Sequence, residues 1–418
     1  MHYVIIGNGA AGIAAAQTIE VIDSRGDITI VTDEPYLAYY RPLIPLVIDE
    51  ERSPEEICRD KLQLPRRTLI RTAARARRID PKEKTVLLED GDSISYDRLL
   101  IATGSSPRSL PVPGVTGHGV FFLHRLEDAL AVKEAAGDAG RTVIVGGGRI
   151  GCKVAVALNK LGIKVSVVEK LDRLMPPQLD KEAASFFEKA LRELGIEVIT
   201  GQGISQILRQ DDAVVGVLLE DGRTVATDMI LIAVGVKPNI ELAQQAGIQV
   251  STGIIVDTYM RTNVPEIYAA GDVVETTDVV SGDKMVSGIW TNAVEMGQTA
   301  GENMAGGRRQ AKGAFSLMNA MELAGLAVIS VGIIHPPASK GYEVLVEKKE
   351  KTYRKFVFRG DVLVGVLLVG KLDHAGTYTS LIREKTELGA LKGLLLEPTF
   401  SYAPYLKIQS PLIDNYIS

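Results

Sequence analysis

The feature that most constrains the fold of this 418-residue chain is a pattern that occurs twice: an apolar strand, a glycine-rich turn, a helix and a second apolar strand. The two turns carry G-x-G-x-x-G triplets, namely Gly7, Gly9 and Gly12 in the first copy and Gly146, Gly148 and Gly151 in the second. In such a triplet the first glycine permits a tight turn, the second lets a pyrophosphate approach the backbone, and the third lets helix and strand pack closely. The sequence therefore predicts two dinucleotide-binding folds.

Acidic residues follow the second strand of each copy. Residues 28–31 lead to Asp33 and Glu34, and residues 165–168 lead to Glu169. An acid about 20 residues after the glycines accepts hydrogen bonds from ribose hydroxyls. A single glycine triplet is weak evidence, because a glycine-rich helix start is often only a turn, whereas two complete copies are strong evidence.

Each copy closes with a fully apolar strand that ends in glycine, at residues 99–104 and 230–235. Strands that are covered on both faces lack the alternation of half-buried strands. We therefore expect an α/β protein with two doubly wound parallel sheets. The length of 418 residues also favours several domains over one core.

Charge and cysteine content exclude several classes of partner and site. A net charge of -5 gives no broad attraction to nucleic acid or to an anionic membrane. The two cysteines, Cys58 and Cys152, are far apart and cannot form a cysteine-rich zinc or iron–sulfur site. We expect no metal site in this chain, so any metal redox centre must lie on another protein.

Two further segments bear on membrane insertion and location. The apolar stretch 317–334 contains Asn319, Glu322 and Ser330, which favours a buried strand with its neighbour over a membrane span. The chain enters a strand at residues 2–6 without a basic or long apolar leader, from which we expect a cytoplasmic protein.

Five motifs together resemble the pyridine nucleotide-disulfide oxidoreductase superfamily over nearly the whole chain. Besides the two glycine triplets they are Ala102-Thr103-Gly104, residues 235–239 (GVKPN) and residues 267–272 (IYAAGD). The resemblance implies FAD in the first copy and NADH in the second, with NADPH as the alternative. It divides the chain into an FAD-binding domain (1–112 and 241–315), an NAD(P)H-binding domain (113–240) and a C-terminal α+β interface domain (316–418), whose usual roles are homodimerisation and covering the flavin.

The same resemblance assigns cofactor contacts residue by residue. For FAD they are Gly7, Gly9, Ala10, Ala11, Gly12, Asp33, Glu34, Arg41, Pro42, Ala102, Thr103, Gly104, Gly271, Asp272, Trp290 and Thr291, and for the nicotinamide nucleotide Gly146, Gly148, Ile150, Gly151, Glu169 and Gly235.

Several of these assignments have plainer alternatives. Asp272 could be a turn residue after glycine, and Arg41 a surface residue before a proline turn. A helix that begins near Trp290 would aim its N-terminus at the flavin, while Thr291 and Asn292 also suit N-caps, and these two interpretations are compatible.

Residues 35–42 (PYLAYYRP) resemble the branch that contains NADH:rubredoxin reductases, the NADH-oxidising part of nitrite reductases and related ferredoxin reductases. Disulfide reductases of the superfamily carry a cysteine pair here, whereas this chain has Tyr39, Tyr40, Leu43 and Ile44. Cys152, just after the second glycine turn, fits small packing better than a nucleophile. The resemblance implies electron transfer from NADH through FAD to a separate iron–sulfur carrier, rubredoxin or ferredoxin-like, or to an iron–sulfur enzyme subunit.

Two other functions compete with this one: an NADH oxidase that uses oxygen directly, and a flavin- and NADH-binding sensor or subunit whose redox activity is incidental. For the nucleotide, Glu169 favours NADH because it would repel a 2′-phosphate, although Lys170 and Arg173 soften that preference.

Two cationic features are specific to this chain. Lys153 stands where relatives carry a glutamate, and Leu46 where they carry its lysine partner, so Lys153 is a candidate catalytic residue that stabilises reduced flavin, or else a solvent-directed lysine. An arginine-rich segment suits either an acidic carrier or a solvated face. Its members are Arg66, Arg67, Arg71, Arg75, Arg77 and Arg78.

Overall fold

The computed structural model describes residues 1–58, 66–338, 341–397 and 400. The chain divides into two compact units, one of residues 1–175 and 191–316 and the other of residues 176–190 and 317–418. Both dinucleotide-binding folds lie in the first unit. The finer division predicted at residues 112, 240 and 315 stays a prediction.

The N-terminal part of the first unit contains two longer strands around a helix, then short strands. Its elements are β1 (His2–Ile6), α1 (Ala10–Ile22), β2 (Asp27–Val31), a 3₁₀ turn (Arg41–Leu43), α2 (Pro45–Ile48), α3 (Pro54–Ile57), β3 (Thr68–Arg71), β4 (Ala76–Asp80), β5 (Thr85–Leu88), β6 (Ser93–Ser95), β7 (Arg98–Ile101) and β8 (Ser105–Pro107).

The middle of the chain repeats the strand–helix–strand order of β1, α1 and β2. Its elements are β9 (Val120–Phe122), α4 (Leu126–Ala136), β10 (Arg141–Val145), α5 (Arg149–Lys160), β11 (Lys164–Glu169), α6 (Lys181–Glu193), β12 (Glu197–Thr200), β13 (Ile204–Gln210), β14 (Ala213–Leu219), β15 (Thr224–Ala226), β16 (Met229–Ile232) and β17 (Val236–Pro238).

The first unit ends with short strands and one long helix. Its last elements are α7 (Glu241–Gln245), β18 (Ile254–Ile255), β19 (Ile267–Ala269), β20 (Val274–Thr277), β21 (Lys284–Val286) and α8 (Trp290–Met304).

The first parallel sheet has the strand order β19-β7-β1-β2-β3. Ile6 lies opposite both Val31 and Ile101, so the carboxyl ends of three strands meet at one edge, where the first glycine triplet begins. These strands are rich in β-branched residues and almost wholly buried, as the unbroken apolar pattern predicts.

The second parallel sheet has the order β12-β11-β10-β16-β9, with Val145 opposite both Val168 and Ile232. It repeats the register of the first sheet and starts the second triplet at the equivalent edge. The predicted α/β fold with two doubly wound sheets is therefore confirmed.

A close helix–helix contact joins the start and the end of the first fold. A Cβ on Gly297 would lie 2.2 Å from the Ala11 carbonyl oxygen, and a Cβ on Gly301 would lie 2.5 Å from that of Ala15. Only glycine allows α8 to pack this closely on α1, and both helices begin at the sheet edge that carries the glycine triplet.

The first unit also contains four small sheets, in the orders β4-β5-β6, β13-β14-β15, β18-β20-β21 and β8-β17. Their strand pairs are antiparallel, except that β18 pairs parallel with β20. Most of the arginine-rich segment is neutralised around the first of these sheets. The ion pairs are Arg67–Asp27 (2.6 Å), Arg71–Asp92 (2.7 Å), Arg75–Glu89 (3.7 Å) and Arg78–Asp80 (3.6 Å). This pairing supports the solvated-face interpretation over a docking site for an acidic carrier.

The second unit is built on an antiparallel sheet with the order β22-β23-β26-β25-β24. Its elements are β22 (Met318–Leu323), β23 (Leu326–Gly332), β24 (Tyr342–Lys348), β25 (Tyr353–Arg359), β26 (Val362–Val369), α9 (Ala375–Arg383) and a 3₁₀ segment (Gly389–Leu396).

The apolar stretch 317–334 forms the β22–β23 hairpin, as predicted for a buried strand with its neighbour. Residues 176–190, which include most of α6, belong to the same unit, where Asp180 accepts hydrogen bonds from Tyr353 (2.7 Å) and Lys355 (2.9 Å). Among the described residues, no helix has the length and apolar character needed to cross a membrane.

Candidate functional site

The first glycine triplet divides into two packing positions and one open position. Gly7 has φ +115°, and a Cβ there would lie 2.2 Å from the Ala102 carbonyl oxygen. A Cβ on Gly12 would lie 2.0 Å from the Gly7 carbonyl oxygen, whereas a Cβ on Gly9 would meet no atom within 4 Å. The packing of the chain therefore leaves open space beside Gly9, where a pyrophosphate could approach the backbone.

The second triplet repeats this division. Gly146 has φ +108°, with a Cβ position 2.4 Å from the Ala233 carbonyl oxygen, and the Cβ position of Gly151 lies 2.0 Å from the Gly146 carbonyl oxygen. A Cβ on Gly148 would meet nothing within 4 Å. Two equivalent cradles thus lie in one compact unit.

Three helices begin at these cradles without a side-chain cap: α1 after Gly9, α5 after Gly148 and α8 after Ile289. Their first N–H groups remain available to an anion, and the helix dipole favours negative charge there. The N-cap alternative for Thr291 and Asn292 is wrong, because both lie inside α8. The Asn292 amide instead donates to the Ser287 hydroxyl (2.6 Å).

An aromatic pair lies at the start of α8. The rings of Trp290 and Tyr40 are tilted by 35°, with centroids 5.5 Å apart. Tyr40 comes from the segment where disulfide reductases carry cysteines. No sequence motif predicts this contact, because the two residues are 250 positions apart.

Arg41 belongs to a buried polar network and is not a free surface residue. It forms an ion pair with Glu34, which also accepts the Tyr39 hydroxyl, and it donates to the His124 carbonyl oxygen (3.1 Å). Glu34 is 3% exposed. Burial, together with the charge of Arg41, lowers the pKa of His124 to about 4, so the imidazole is neutral at pH 7. The surface-residue alternative for Arg41 is therefore not supported.

The first copy differs from the second at the ribose position. In the matched registers, Val31 corresponds to Val168, so Thr32 stands where the second copy has Glu169. Asp33 and Glu34 follow, and Asp33 pairs with Arg125 at 2.8 Å. Both acids thus have arginine partners in the chain, and a ribose contact by either stays a prediction.

Glu169 faces the second glycine turn. Its carboxylate accepts the Gly147 N–H (2.7 Å) and the Leu171 N–H (2.8 Å), and the residue is buried. Each carboxylate oxygen retains a lone pair for a ribose hydroxyl. The nearby cations carry acid partners, since Lys170 pairs with Glu220 (2.9 Å) and Arg173 with Asp172 (2.6 Å).

Asp272 follows β19 at the common edge of the first sheet, next to Gly271 (φ +86°). Burial raises the pKa of Asp272 to about 6, while the charges of Arg41 and Arg149 act in the opposite direction. A largely buried carboxylate whose pKa responds to the charges of two arginines is more than a turn requires, so the structure favours the functional interpretation of Asp272.

Helix α5 carries Cys152 and Lys153 and packs against α2, which contains Leu46. The Cys152 thiol donates to the Gly147 carbonyl oxygen (3.3 Å), and burial raises its pKa to about 12, which supports a packing role. Lys153 is half-buried, and burial together with the charge of Arg149 lowers its pKa. No carboxylate pairs with Lys153 in the described part of the chain.

The two cradles fit FAD in the first fold and a nicotinamide nucleotide in the second, because each offers an open glycine and an uncapped helix, and the first adds Asp272 at the same sheet edge. Residues 1–58, 66–338, 341–397 and 400 hold no cluster of three or more His, Cys, Asp or Glu suited to a metal ion.

Comparison with known proteins agrees with this geometry. A family model described as pyridine nucleotide-disulphide oxidoreductase matches residues 1–297, and one described as rubredoxin NAD+ reductase C-terminal domain matches residues 318–386. The chain is 33% identical over 399 residues to the NADH-dependent phenylglyoxylate dehydrogenase subunit epsilon of Aromatoleum evansii, covering 93% of both proteins. It spans 51% of the length of each of two further relatives, from Bacillus subtilis.

Two solved structures share the fold over nearly the whole chain. A NAD-dependent persulfide reductase from A. fulgidus superposes with a TM-score of 0.89 at 30% identity, covering 97% of this chain and 80% of that one. The NADH:rubredoxin oxidoreductase from Clostridium acetobutylicum superposes with a TM-score of 0.76 at 26% identity, covering 97% and 99%.

Proposed function

The chain belongs to the pyridine nucleotide-disulphide oxidoreductase family, and we propose that it exchanges hydride between NADH and FAD and single electrons between FAD and a separate iron–sulfur protein. It is an NAD(P)H-dependent flavoprotein oxidoreductase. The observation that carries the proposal is the pair of open cradles at Gly9 and Gly148 in one unit, with Tyr39 and Tyr40 in the segment where disulfide reductases carry cysteines.

Bound FAD accepts two electrons as a hydride and releases them one at a time. The chain's own residues bind and orient the two ligands. The N-termini of α1 and α5 would hold the two pyrophosphates, Asp272 would accept hydroxyl hydrogen bonds from the first ligand, and Glu169 would accept them from the ribose of the second. The remaining requirement is that the two ligands meet at the distance hydride transfer needs, about 3–3.5 Å between reacting atoms.

Sulfur chemistry at the flavin is not part of the proposal. Cys58 is half-buried, and Cys152 is buried with a raised pKa, so the described chain offers no exposed cysteine pair. One-electron release needs an acceptor that takes single electrons, and this chain has too few cysteines for an iron–sulfur cluster.

The acceptor is either a mobile carrier of the rubredoxin or ferredoxin type or a subunit of a larger iron–sulfur enzyme. The C-terminal match to a rubredoxin reductase domain supports the carrier. The match to a dehydrogenase subunit over 93% of both proteins supports the second arrangement, in which electrons can also flow towards NAD+. A cytoplasmic location, where NADH is available, completes the proposal.

Lys153 has a place in this proposal as the group that stabilises negative charge on reduced flavin. The support is its half-buried position on α5, one turn from Arg149, whose charge acts on Asp272. A buried ammonium without a carboxylate partner is costly and gains most from an anionic ligand.

Anaerobic single-turnover kinetics test the proposed function. The FAD-reconstituted protein is mixed with NADH, and bleaching of the visible flavin absorbance is followed by reoxidation with rubredoxin, ferredoxin or oxygen. We expect fast bleaching and much faster reoxidation by an iron–sulfur protein than by oxygen. Comparable oxygen turnover would support an NADH oxidase, and slow bleaching would support a sensor.

A further inference from the structure

The turns that close the two dinucleotide-binding folds are joined directly to each other. After Ala102-Thr103-Gly104 the chain enters β8, and after the equivalent turn at residues 233–235 it enters β17. These strands pair antiparallel, with Ser105 opposite Pro238 and Pro107 opposite Val236. We call this pairing and its flanking hydrogen bonds the crossed link.

The crossed link has an internal two-fold pattern. Asn239 donates its backbone N–H to the Gly104 carbonyl oxygen (3.0 Å), and Arg108 donates its backbone N–H to the Gly235 carbonyl oxygen (2.9 Å). Each donor lies four residues after the glycine of its own turn. Each fold therefore holds the closing glycine of the other.

The Asn239 side chain makes this link specific to the first turn. Its amide donates to the Thr103 carbonyl oxygen (2.8 Å), and its side-chain oxygen accepts the Ser106 hydroxyl (2.7 Å). The Asn239 carbonyl oxygen accepts the Thr103 hydroxyl (3.0 Å). Both polar ends of the asparagine are thus used on the segment that follows β7. On the other side, the Arg108 side chain donates to the Val236 carbonyl oxygen (2.8 Å).

The turn that Asn239 holds lies against the first glycine cradle. The Cβ position of Gly7 is 2.2 Å from the Ala102 carbonyl oxygen and 3.5 Å from the Thr103 nitrogen, so the two backbones are in contact. A displacement of Thr103 must therefore move the cradle, because the contact leaves no free space to absorb it.

We propose that Asn239, which belongs to the nicotinamide-binding fold, is a positioning residue for the flavin: through Thr103 it sets the first cradle relative to the second, so that nicotinamide and flavin meet at reaction distance. Arg108 performs the reciprocal task for the second turn. The identity of the two ligands rests on the proposed function. Misplacement by about 1 Å costs on the order of a hundredfold in rate, so a hydrogen-bonded link outside both cradles can govern the hydride step.

The test compares Asn239→Ala and Asn239→Asp with Asn263→Ala in the full FAD-loaded chain. Asn263 is the matched control, because its side chain also bonds twice, accepting the Gln249 N–H (2.8 Å) and donating to the Gly247 carbonyl oxygen (3.3 Å), at a site apart from both turns. Asn239→Asp keeps the acceptor for Ser106 but replaces the donor to Thr103 by a carboxylate oxygen, which repels the Thr103 carbonyl oxygen.

Three quantities are measured: the FAD dissociation constant, the visible absorption spectrum of bound flavin, and the anaerobic rate of flavin reduction at saturating NADH. For both Asn239 variants we expect an altered flavin spectrum, an FAD dissociation constant raised about tenfold and hydride transfer slowed by about ten- to a hundredfold, with little change in the apparent dissociation constant of NADH. Asn263→Ala, with a comparable loss in thermal stability, should leave all three unchanged.

Two outcomes overturn the inference separately from the proposed function. If the wild-type chain binds FAD and is reduced by NADH while the Asn239 variants match Asn263→Ala, Asn239 is a structural residue only. If the Asn239 variants change NADH binding and leave the flavin spectrum intact, Asn239 positions the nicotinamide nucleotide and not the flavin. A wild-type chain that takes up no FAD removes the proposed function, and this inference with it.

Discussion

Replacing Gly148 by alanine distinguishes an effect on nucleotide binding from an effect on the stability of the fold. The added methyl group would meet no protein atom within 4 Å, and the backbone there is extended (φ -75°), so the ligand-free fold has no reason to resist it. Alanine at a compatible glycine position gains about 0.4–1 kcal/mol by restricting the unfolded chain. The thermal midpoint of Gly148→Ala should therefore equal or exceed that of the wild type.

The same methyl group occupies the space where a pyrophosphate must approach the backbone of the second cradle. Losing one charge-assisted hydrogen bond from a helix N-terminus costs about 1.5–3 kcal/mol, which corresponds to a rise of about ten- to a hundredfold in the NADH dissociation constant. FAD content and flavin spectrum should stay at wild-type values, because the first cradle is untouched. Stopped-flow flavin reduction against NADH concentration gives the constant directly.

Two companion variants make the result interpretable. Gly151→Ala would place Cβ 2.0 Å from the Gly146 carbonyl oxygen and should destabilise the fold itself. Gly376→Ala, in α9, also adds a methyl group in open space and should raise stability by a similar amount while leaving NADH affinity unchanged. If Gly148→Ala binds NADH as tightly as Gly376→Ala does, the second cradle does not hold a pyrophosphate and the assignment of this fold fails.

Three further predictions follow from the same site. Lys153→Met should lower the flavin reduction potential and slow flavin reduction while FAD stays bound. An unchanged potential in a dye-coupled titration would show that Lys153 is a solvent-directed lysine. NADH should be favoured over NADPH in catalytic efficiency, because Glu169 is buried at the ribose position and Lys170 and Arg173 are paired with acids; equal efficiencies would contradict this. Asp272→Asn should stabilise the flavin-free protein at pH 7 by about 2–3 kcal/mol, because burial raises the carboxyl pKa to about 6 from its ordinary value of 3.8, so the wild type loses stability as the pH rises through this range. Thermal unfolding curves of the two proteins should converge near pH 4, and a constant difference from pH 4 to pH 7 would refute the assigned pKa.

The parts of the fold that follow from local physics were predictable from the sequence. The continuous apolar run 362–369, bounded by glycines, predicts a strand, and β26 spans Val362–Val369. Helix α5 ends at Lys160 with Leu161 as C-cap. Helix α1 continues to Ile22, because nothing in the sequence stops it earlier.

Contacts between residues far apart in the sequence could not be predicted from the sequence. The hydrogen bonds of Asn239 reach across more than 130 positions to Thr103, and a GVKPN motif alone does not show what the asparagine holds. The glycines at 297 and 301 carry the four-residue spacing of a close helix contact, a signal that could have been used. The partner of Arg41 was missed for another reason: Glu34 was counted as a ribose ligand, and only the strand register places Thr32 at that position.

The differences between the two copies match the different behaviour required of their ligands. In the first copy, Thr32 replaces the ribose acid, and the two acids that follow form ion pairs with Arg41 and Arg125, so the chain itself holds both arginines in place. In the second copy, Glu169 is held by two backbone N–H groups and keeps lone pairs for a ribose. Charge-assisted anchoring of a pyrophosphate suits a cofactor that stays bound, whereas an acid that recognises ribose without a dedicated arginine suits a nucleotide that must leave after each turnover. The chain thus uses one fold twice, once to retain FAD and once to exchange NADH, and the crossed link is the part of the structure that brings the retained and the exchanging ligand together.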